Sequence, residues 1–248
     1  MRNQAKLIIS VAPFICLCSC YPLAVSHEGV KRMYERISNP PLIDAAEAGN
    51  TSRVLELLEG GADVNTTNKW NDTALLYAAD NGHTGTALLL IEKGADVDIQ
   101  NDNYGSTALM LAAQRGNSIL VRALLDRGAD INPRNIHNMT ALYAAAGWGN
   151  AEVVRLLLDA ESEVDARGDG GHSFEDERRT PLMAAVLRAR NETVGLLLQR
   201  GADVNAQSAS GMTALKLAKR LHEAQTNPDW RRRFEEIIQM LKDAGAGE

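Results

Sequence analysis

Cysteine is nearly missing from this chain of 248 residues: Cys16, Cys18 and Cys20 are the full complement. Everything after residue 20 is cysteine-free. That part has no disulfide to form, and it tolerates an oxidising compartment without using it. Aromatic residues make up 4 %, low for a globular core but ordinary for a helical array built on Ala and Leu. An excess of positive charge is also absent. The formal net charge is −6, which argues against nucleic acid or an anionic membrane surface as the main partner. Reaction chemistry leaves no mark either. No glycine-rich phosphate loop lies between a strand and a helix, and there is no His-Glu-x-x-His or Gly-x-Ser-x-Gly. Of His27, His83, His137, His172 and His222, no two fall at ligand spacing on one helix. No catalytic residue, cofactor or metal is expected, and the role implied is non-enzymatic.

What is present is repetition. Gly61-Ala62-Asp63-Val64-Asn65 returns as Gly94-Ala95-Asp96-Val97-Asp98, Gly128-Ala129-Asp130-Ile131-Asn132 and Gly201-Ala202-Asp203-Val204-Asn205. A second phrase keeps the same interval: Thr73-Ala74-Leu75, Thr107-Ala108-Leu109, Thr140-Ala141-Leu142, Thr180-Pro181-Leu182 and Thr213-Ala214-Leu215. Successive Thr residues are 34, 33, 40 and 33 apart, so one junction carries about seven extra residues. A period of that size means stacked units, each too small to bury its own apolar face.

Each recurring letter has a physical use. Thr before an apolar run caps a helix N-terminus, and Pro181 fits the first helical position. The small pairs Ala78-Ala79, Ala112-Ala113 and Ala145-Ala146 let helices approach closely. Gly82, Gly116 and Gly149 then turn the chain into a second, leucine-rich helix. The Gly of the Gly-Ala-Asp phrase ends that helix in a left-handed conformation. In the fourth unit Glu161-Ser162-Glu163 replaces the phrase. Glu161 must then turn left-handed, costing roughly 1 kcal/mol relative to Gly, or the turn must differ. The fourth unit is the expected weak joint.

Thr-Pro/Ala-Leu, Ala-Ala, Gly-His or Gly-Asn, Leu-Leu and Gly-Ala-Asp-Val-Asn together resemble the ankyrin repeat family, from about Asn39 to the C-terminus. The resemblance implies an all-α solenoid of about six helix-turn-helix units with projecting β-hairpin fingers. It also implies a concave face of fingers and inner helices that grips protein partners. The family often has His three residues after the Thr; Leu76, Met110, Tyr143, Met183 and Lys216 stand there instead, so apolar packing must carry more of the stacking.

The N-terminus is of another kind. Arg2 and Lys6 precede an uncharged run from Leu7 to Ser26, the pattern of a secretory signal. Leu17-Cys18-Ser19-Cys20 resembles a bacterial lipobox. That resemblance implies removal of residues 1–19 and diacylation of Cys20; Tyr21 in place of Asp resembles lipoproteins sorted to the outer membrane. Cleavage there removes Arg2 and Lys6 and no acid, leaving a net charge near −8. The expected location is the periplasmic side of a bacterial cell envelope, with membrane contact only through the lipid. Two alternatives stay open: cleavage near Ser26 to give a soluble periplasmic or secreted protein, and an uncleaved anchor, which Pro13 and Pro22 disfavour.

The organisation expected is therefore a signal peptide at 1–19, a tether and capping helix at 20–38, and repeats over 39–248. Val30, Met33, Tyr34 and Ile37 supply the amphipathic face of the capping helix, which could also bind a partner. The extra residues lengthen one finger at 167–179. A C-terminal cap spans 211–248, with a long turn from His222 to Asp229 and a final helix opened by Pro228.

Positions that the repeat does not dictate are where a partner would bind. Three residues before the Thr, on the fingers, Trp70, Tyr104 and His137 form a ladder. Eight residues after it, near the ends of the inner helices, stand Asn81, Arg115, Trp148, Arg188 and Leu221, with Arg115 and Trp148 expected as neighbours. Lys69, Asp72, Asp80, Asn103, Ser106, Gln114, Ile136 and Met139 supply a mixed rim, and Phe174 is the one large apolar side chain of the long finger. Trp, Tyr and Arg dominate interface hot spots. The function expected is a monomeric protein–protein interaction module. A periplasmic inhibitor or immunity lipoprotein that blocks an enzyme is the first alternative, and a structural scaffold the second.

Overall fold

A computed structural model describes residues 39–169 and 178–247. Cys20, the 20–38 segment and Phe174 lie outside the described residues. Asn39–Glu248 forms one compact unit. Its described residues hold twelve helices. They pair as α1 (Pro41–Glu47) with α2 (Thr51–Glu59), α3 (Ala74–Asp80) with α4 (Thr84–Glu92), and α5 (Ala108–Arg115) with α6 (Ser118–Asp126). The series continues with α7 (Ala141–Trp148) and α8 (Ala151–Asp159), α9 (Pro181–Leu187) and α10 (Asn191–Gln199), and α11 (Ala214–Ala224) and α12 (Pro228–Asp243). Odd-numbered inner helices stack on one another in order, and so do the even-numbered outer helices.

The repeated letters set these boundaries. The hydroxyls of Thr73, Thr107, Thr140, Thr180 and Thr213 each accept from the backbone N–H three residues on, at 3.2–3.3 Å. Each is an N-cap worth about 1 kcal/mol. Pro41, Pro181 and Pro228 all sit in a first helical turn, where a missing N–H costs nothing. The alanine pairs are fully buried between inner helices. Leu90, Leu124, Leu157 and Leu197 are fully buried at equivalent points of four outer helices, and truncating one to Ala should cost about 2–5 kcal/mol. Where His would stand, Leu76, Met110, Tyr143 and Met183 are buried, so apolar packing does replace its hydrogen bonds.

The Gly-Ala-Asp-Val-Asn phrase does two jobs. Gly61, Gly94, Gly128 and Gly201 take φ of 78° to 90° and end the outer helix. The Asp carboxylate then accepts from the N–H two residues on, closing a turn in all four copies. The last letter reaches across repeats: Asn65 Oδ1 accepts from Asp96 N, Asp98 Oδ1 from Asp130 N, and Asn205 Oδ1 from Gly247 N, each at 2.8 Å. Asp165 accepts from Asp203 N in the same way. Among the described residues the matching Asn132–Glu163 bond is missing. Glu161 does adopt the left-handed conformation, φ 63°, and the helix-ending bonds are kept: Glu161 N donates to Leu158 O and Ser162 N to Leu157 O.

Two expectations need correction. The fingers are present, but among the described residues they form no strands, only isolated bridges at Thr67–Thr73 and Gly168–Arg179. The cause lies at the finger base. Asn68 Oδ1 accepts from Trp70 N and Asp72 N, Asn101 from Tyr104 N and Ser106 N, and Asn135 from His137 N and Met139 N. These side chains take N–H groups that a ladder would use. Near the C-terminus the long turn is shorter than expected: α11 runs to Ala224 and includes His222, whose Nε2 lies 3.1 Å from Glu235 Oε1.

Candidate protein-binding groove

The fingers are joined edge to edge by their backbones. Asp102 N donates to Trp70 O at 2.8 Å, Ile136 N to Tyr104 O at 2.9 Å, and Asp169 N to His137 O at 2.7 Å. The ladder positions are thus the rungs of a continuous wall, which leaves their side chains to face outward or into the hollow beside them. Tyr104 and Ile136 are 58 % and 61 % exposed. Trp70 is half-buried, with Lys69 Nζ 4.1 Å over its ring.

Between this wall and the inner helices α3 and α5 runs a groove of about 510 Å³. It gathers Asp72, Asp80, Asn103, Tyr104, Ser106, Gln114, His137 and Met139 from the expected set. Its floor was not expected: Leu76, Tyr77 and Leu111 from the inner helices, with Asn101 and Asn135 at the finger bases. Gln114 and Met139 also line a notch of about 90 Å³ beside Tyr143, Gly147, Trp148, Leu187 and Arg188, so the hollow continues from the third repeat into the fifth. Lys69, Trp70, Asn81, Arg115 and Ile136 do not line either hollow. Asn81 instead turns back on its own helix, donating to Tyr77 O at 3.0 Å.

The electrostatics of the groove are set by position. Asp72 is only 8 % exposed, and its carboxylate accepts from Asn101 Nδ2 at 2.9 Å and Asn68 Nδ2 at 3.2 Å. Burial pushes the Tyr77 phenol above its ordinary value; the nearby charges of Asp72 and Glu47 add to this, against hydrogen bonds from Asn39 and Asn68. The tyrosine therefore stays neutral and can donate or accept. Trp148 is 46 % exposed. Its cation comes from the following repeat, Arg188 at 4.4 Å from the ring centre, rather than from Arg115. Arg115 turns the other way and pairs with Asp80 at 3.1 Å. Arg115 and Arg188 hold the same repeat position on either side of Trp148, so spacing gives both as neighbours, and only side-chain packing decides which one stacks.

His83, in the Gly-His turn, is structural. Its Nε2 lies 2.9 Å from Glu47 O, and its ring packs where a side chain on Gly49 would stand. A second hollow of about 320 Å³ lies apart from the groove, between Arg190–Thr193 and Arg232, Arg233 and Glu236 on the outer layer. Among the described residues no group of His, Cys, Asp and Glu is placed to hold a metal, and no helix is long and apolar enough to cross a membrane.

The family model for ankyrin repeats (3 copies) matches residues 42–135 and 133–208. The chain belongs to the ankyrin repeat family. Among solved structures it is similar to the ankyrin repeat domain of Bcl-3, described as a unique member of the IkappaB protein family. That match has 31 % identity and a TM-score of 0.65, and covers 85 % of this chain and 88 % of that one. An ankyrin repeat domain from Acinetobacter baumannii AYE matches with 28 % identity and a TM-score of 0.69, over 84 % of this chain and 98 % of that one. No curated protein sequence matches. Ankyrin repeat domains are in general protein–protein interaction modules, typically non-enzymatic.

Proposed function

We propose that this ankyrin repeat protein is an exported binding module of a bacterial envelope, tethered through a lipid on Cys20, that holds a protein partner in the groove of repeats two to four. The observation that carries the reading is the groove itself. It is continuous and has an apolar floor, and Tyr104 and Trp148, residue types that dominate interface hot spots, stand exposed along it. Export is supported by the charged, then apolar, then Leu17-Cys18-Ser19-Cys20 order of the N-terminus.

Binding affinity in alanine variants tests the site. With a partner isolated from envelope extracts by crosslinking to the full chain, Tyr104→Ala and Trp148→Ala should each weaken binding by on the order of 1–4 kcal/mol. Trp70→Ala should matter less, since its ring lies off the groove. Unchanged affinity in the Tyr104 and Trp148 variants, with helical circular dichroism intact, would move the site elsewhere.

A further inference from the structure

We propose that the groove takes an extended protein segment with sorted charges: Lys or Arg over repeats one and two, an aliphatic side chain at Gly147, and carboxylates over repeats five and six. This rests on the protein-binding reading above and names the chemistry of what is held.

Equivalent positions recur on successive inner helices. Tyr77 and Asp80 face the groove in the second repeat. Their counterparts in the first are Asp44 and Glu47, both exposed and with carboxylates free of cationic partners among the described residues. Asp72 adds a fourth carboxylate on the finger side. Among the described residues Arg115 is the cation paired at this end, and its pair with Asp80 is half exposed on both sides. Such a rim pair is weak and exchangeable.

The far end has the opposite sign. Arg188 lines the notch, stacked on Trp148, with no carboxylate bound to it. In the sixth repeat the counterparts of Leu76 and Asp80 are Lys216 and Arg220, both exposed and without ion pairs among the described residues. A basic strip in a chain of net charge −6 runs against its composition.

Between the carboxylates and the outer cations lies a hole, walled by apolar side chains and on one side by Arg179 and Arg188. Gly147 stands where Asp80, Gln114 and Leu187 stand in other repeats. A methyl group there would meet Ala184 at 3.7 Å, an ordinary contact, so packing does not require glycine. The missing side chain instead leaves the notch of about 90 Å³ beside Trp148, of a size for an aliphatic group.

The span sets the segment's length. Inner helices packed ~9 Å apart place the first and fifth repeats roughly 36 Å apart, which about eleven extended residues cover at ~3.3 Å each. Charges at the two ends fix direction and register and speed encounter, while the apolar middle supplies most of the hold.

Selection of random twelve-residue peptides on the full chain at low salt tests this directly. Selected peptides should carry Lys or Arg at one end, an aliphatic residue centrally, and Asp or Glu at the other. The best should bind Gly147→Leu at least tenfold more weakly, and likewise a Glu47→Lys, Asp80→Lys double variant. A peptide with its end charges exchanged should bind a variant carrying Glu47→Lys, Asp80→Lys, Arg188→Glu and Arg220→Glu, and not the wild type. Peptides that depend on Trp148 but show no charge order would overturn the proposed chemistry and leave the groove reading standing. Peptides indifferent to Tyr104→Ala and Trp148→Ala would overturn both. A dimer in sedimentation that the four charge reversals abolish would also overturn it, because the two charged ends would then be pairing between copies.

Discussion

Asp165 stands where Asn65, Asn132 and Asn205 stand in other repeats, and the difference is one half-buried charge. Burial raises its carboxyl above the ordinary value of 3.8; the charges of Asp203 and Glu163 push the same way, against the Asp203 N–H and Arg167. The folded protein thus holds this proton more tightly than the unfolded chain does. Stability from this site is full below the ordinary value and is lost as pH rises through the raised one. Asp165→Asn keeps the acceptor for Asp203 N and removes the charge. The variant should melt higher than wild type at neutral pH, and the gain should vanish below about pH 3.8. An equal or lower melting temperature at neutral pH would contradict this. Glu161 carries backbone strain, left-handed at φ 63° where four repeats use Gly. Glu161→Gly should add about 1 kcal/mol to stability, read as a higher urea midpoint at unchanged slope.

At the scale of elements, these residues fall together. Glu161, Asp165 and the long finger all lie at the end of the fourth repeat, where it meets the fifth, and the missing Asn132–Glu163 bond is the one between the third repeat and the fourth. In a stacked array stability is close to a sum of repeat and neighbour terms, so one poor joint lets the stack open in two steps. Hydrogen exchange should show α9–α12 exchanging faster than α3–α6, and Glu161→Gly with Asp165→Asn should narrow the gap. Uniform protection on both sides of the joint would remove the weak-joint account. Much of this was legible from local chemistry. Thr before an apolar run, Pro at the first helical position and Gly at φ 78° to 90° act within a few residues, and the helices begin and end where those letters stand. What was hidden depends on neighbours distant in sequence. The stacking of Arg188 on Trp148, the bonds from Asn101 and Asn68 to Asp72, and the Leu76–Tyr77–Leu111 floor arise only once repeats pack. The fingers lost their strands because Asn68, Asn101 and Asn135 close them locally, a use of Asn that the general turn preference left unspecified.

At the scale of the whole molecule, the proposed function has two separate parts, a place and a grip. The place rests on Cys20. Labelling cells with radioactive palmitate should mark the wild type and not Cys20→Ala, and label persisting in the variant would remove the lipid tether. The grip rests on the groove side of the repeats, and one comparison tests it most directly. A photo-crosslinking phenylalanine analogue replaces Tyr104, 58 % exposed in the groove, or Ile119, 63 % exposed on outer helix α6. Exposure is matched, so only the face differs. Irradiation of the living envelope should give a discrete protein adduct from position 104 and none from position 119. An adduct from position 119 alone, or from neither, would contradict the claim that this protein binds its partner through the groove.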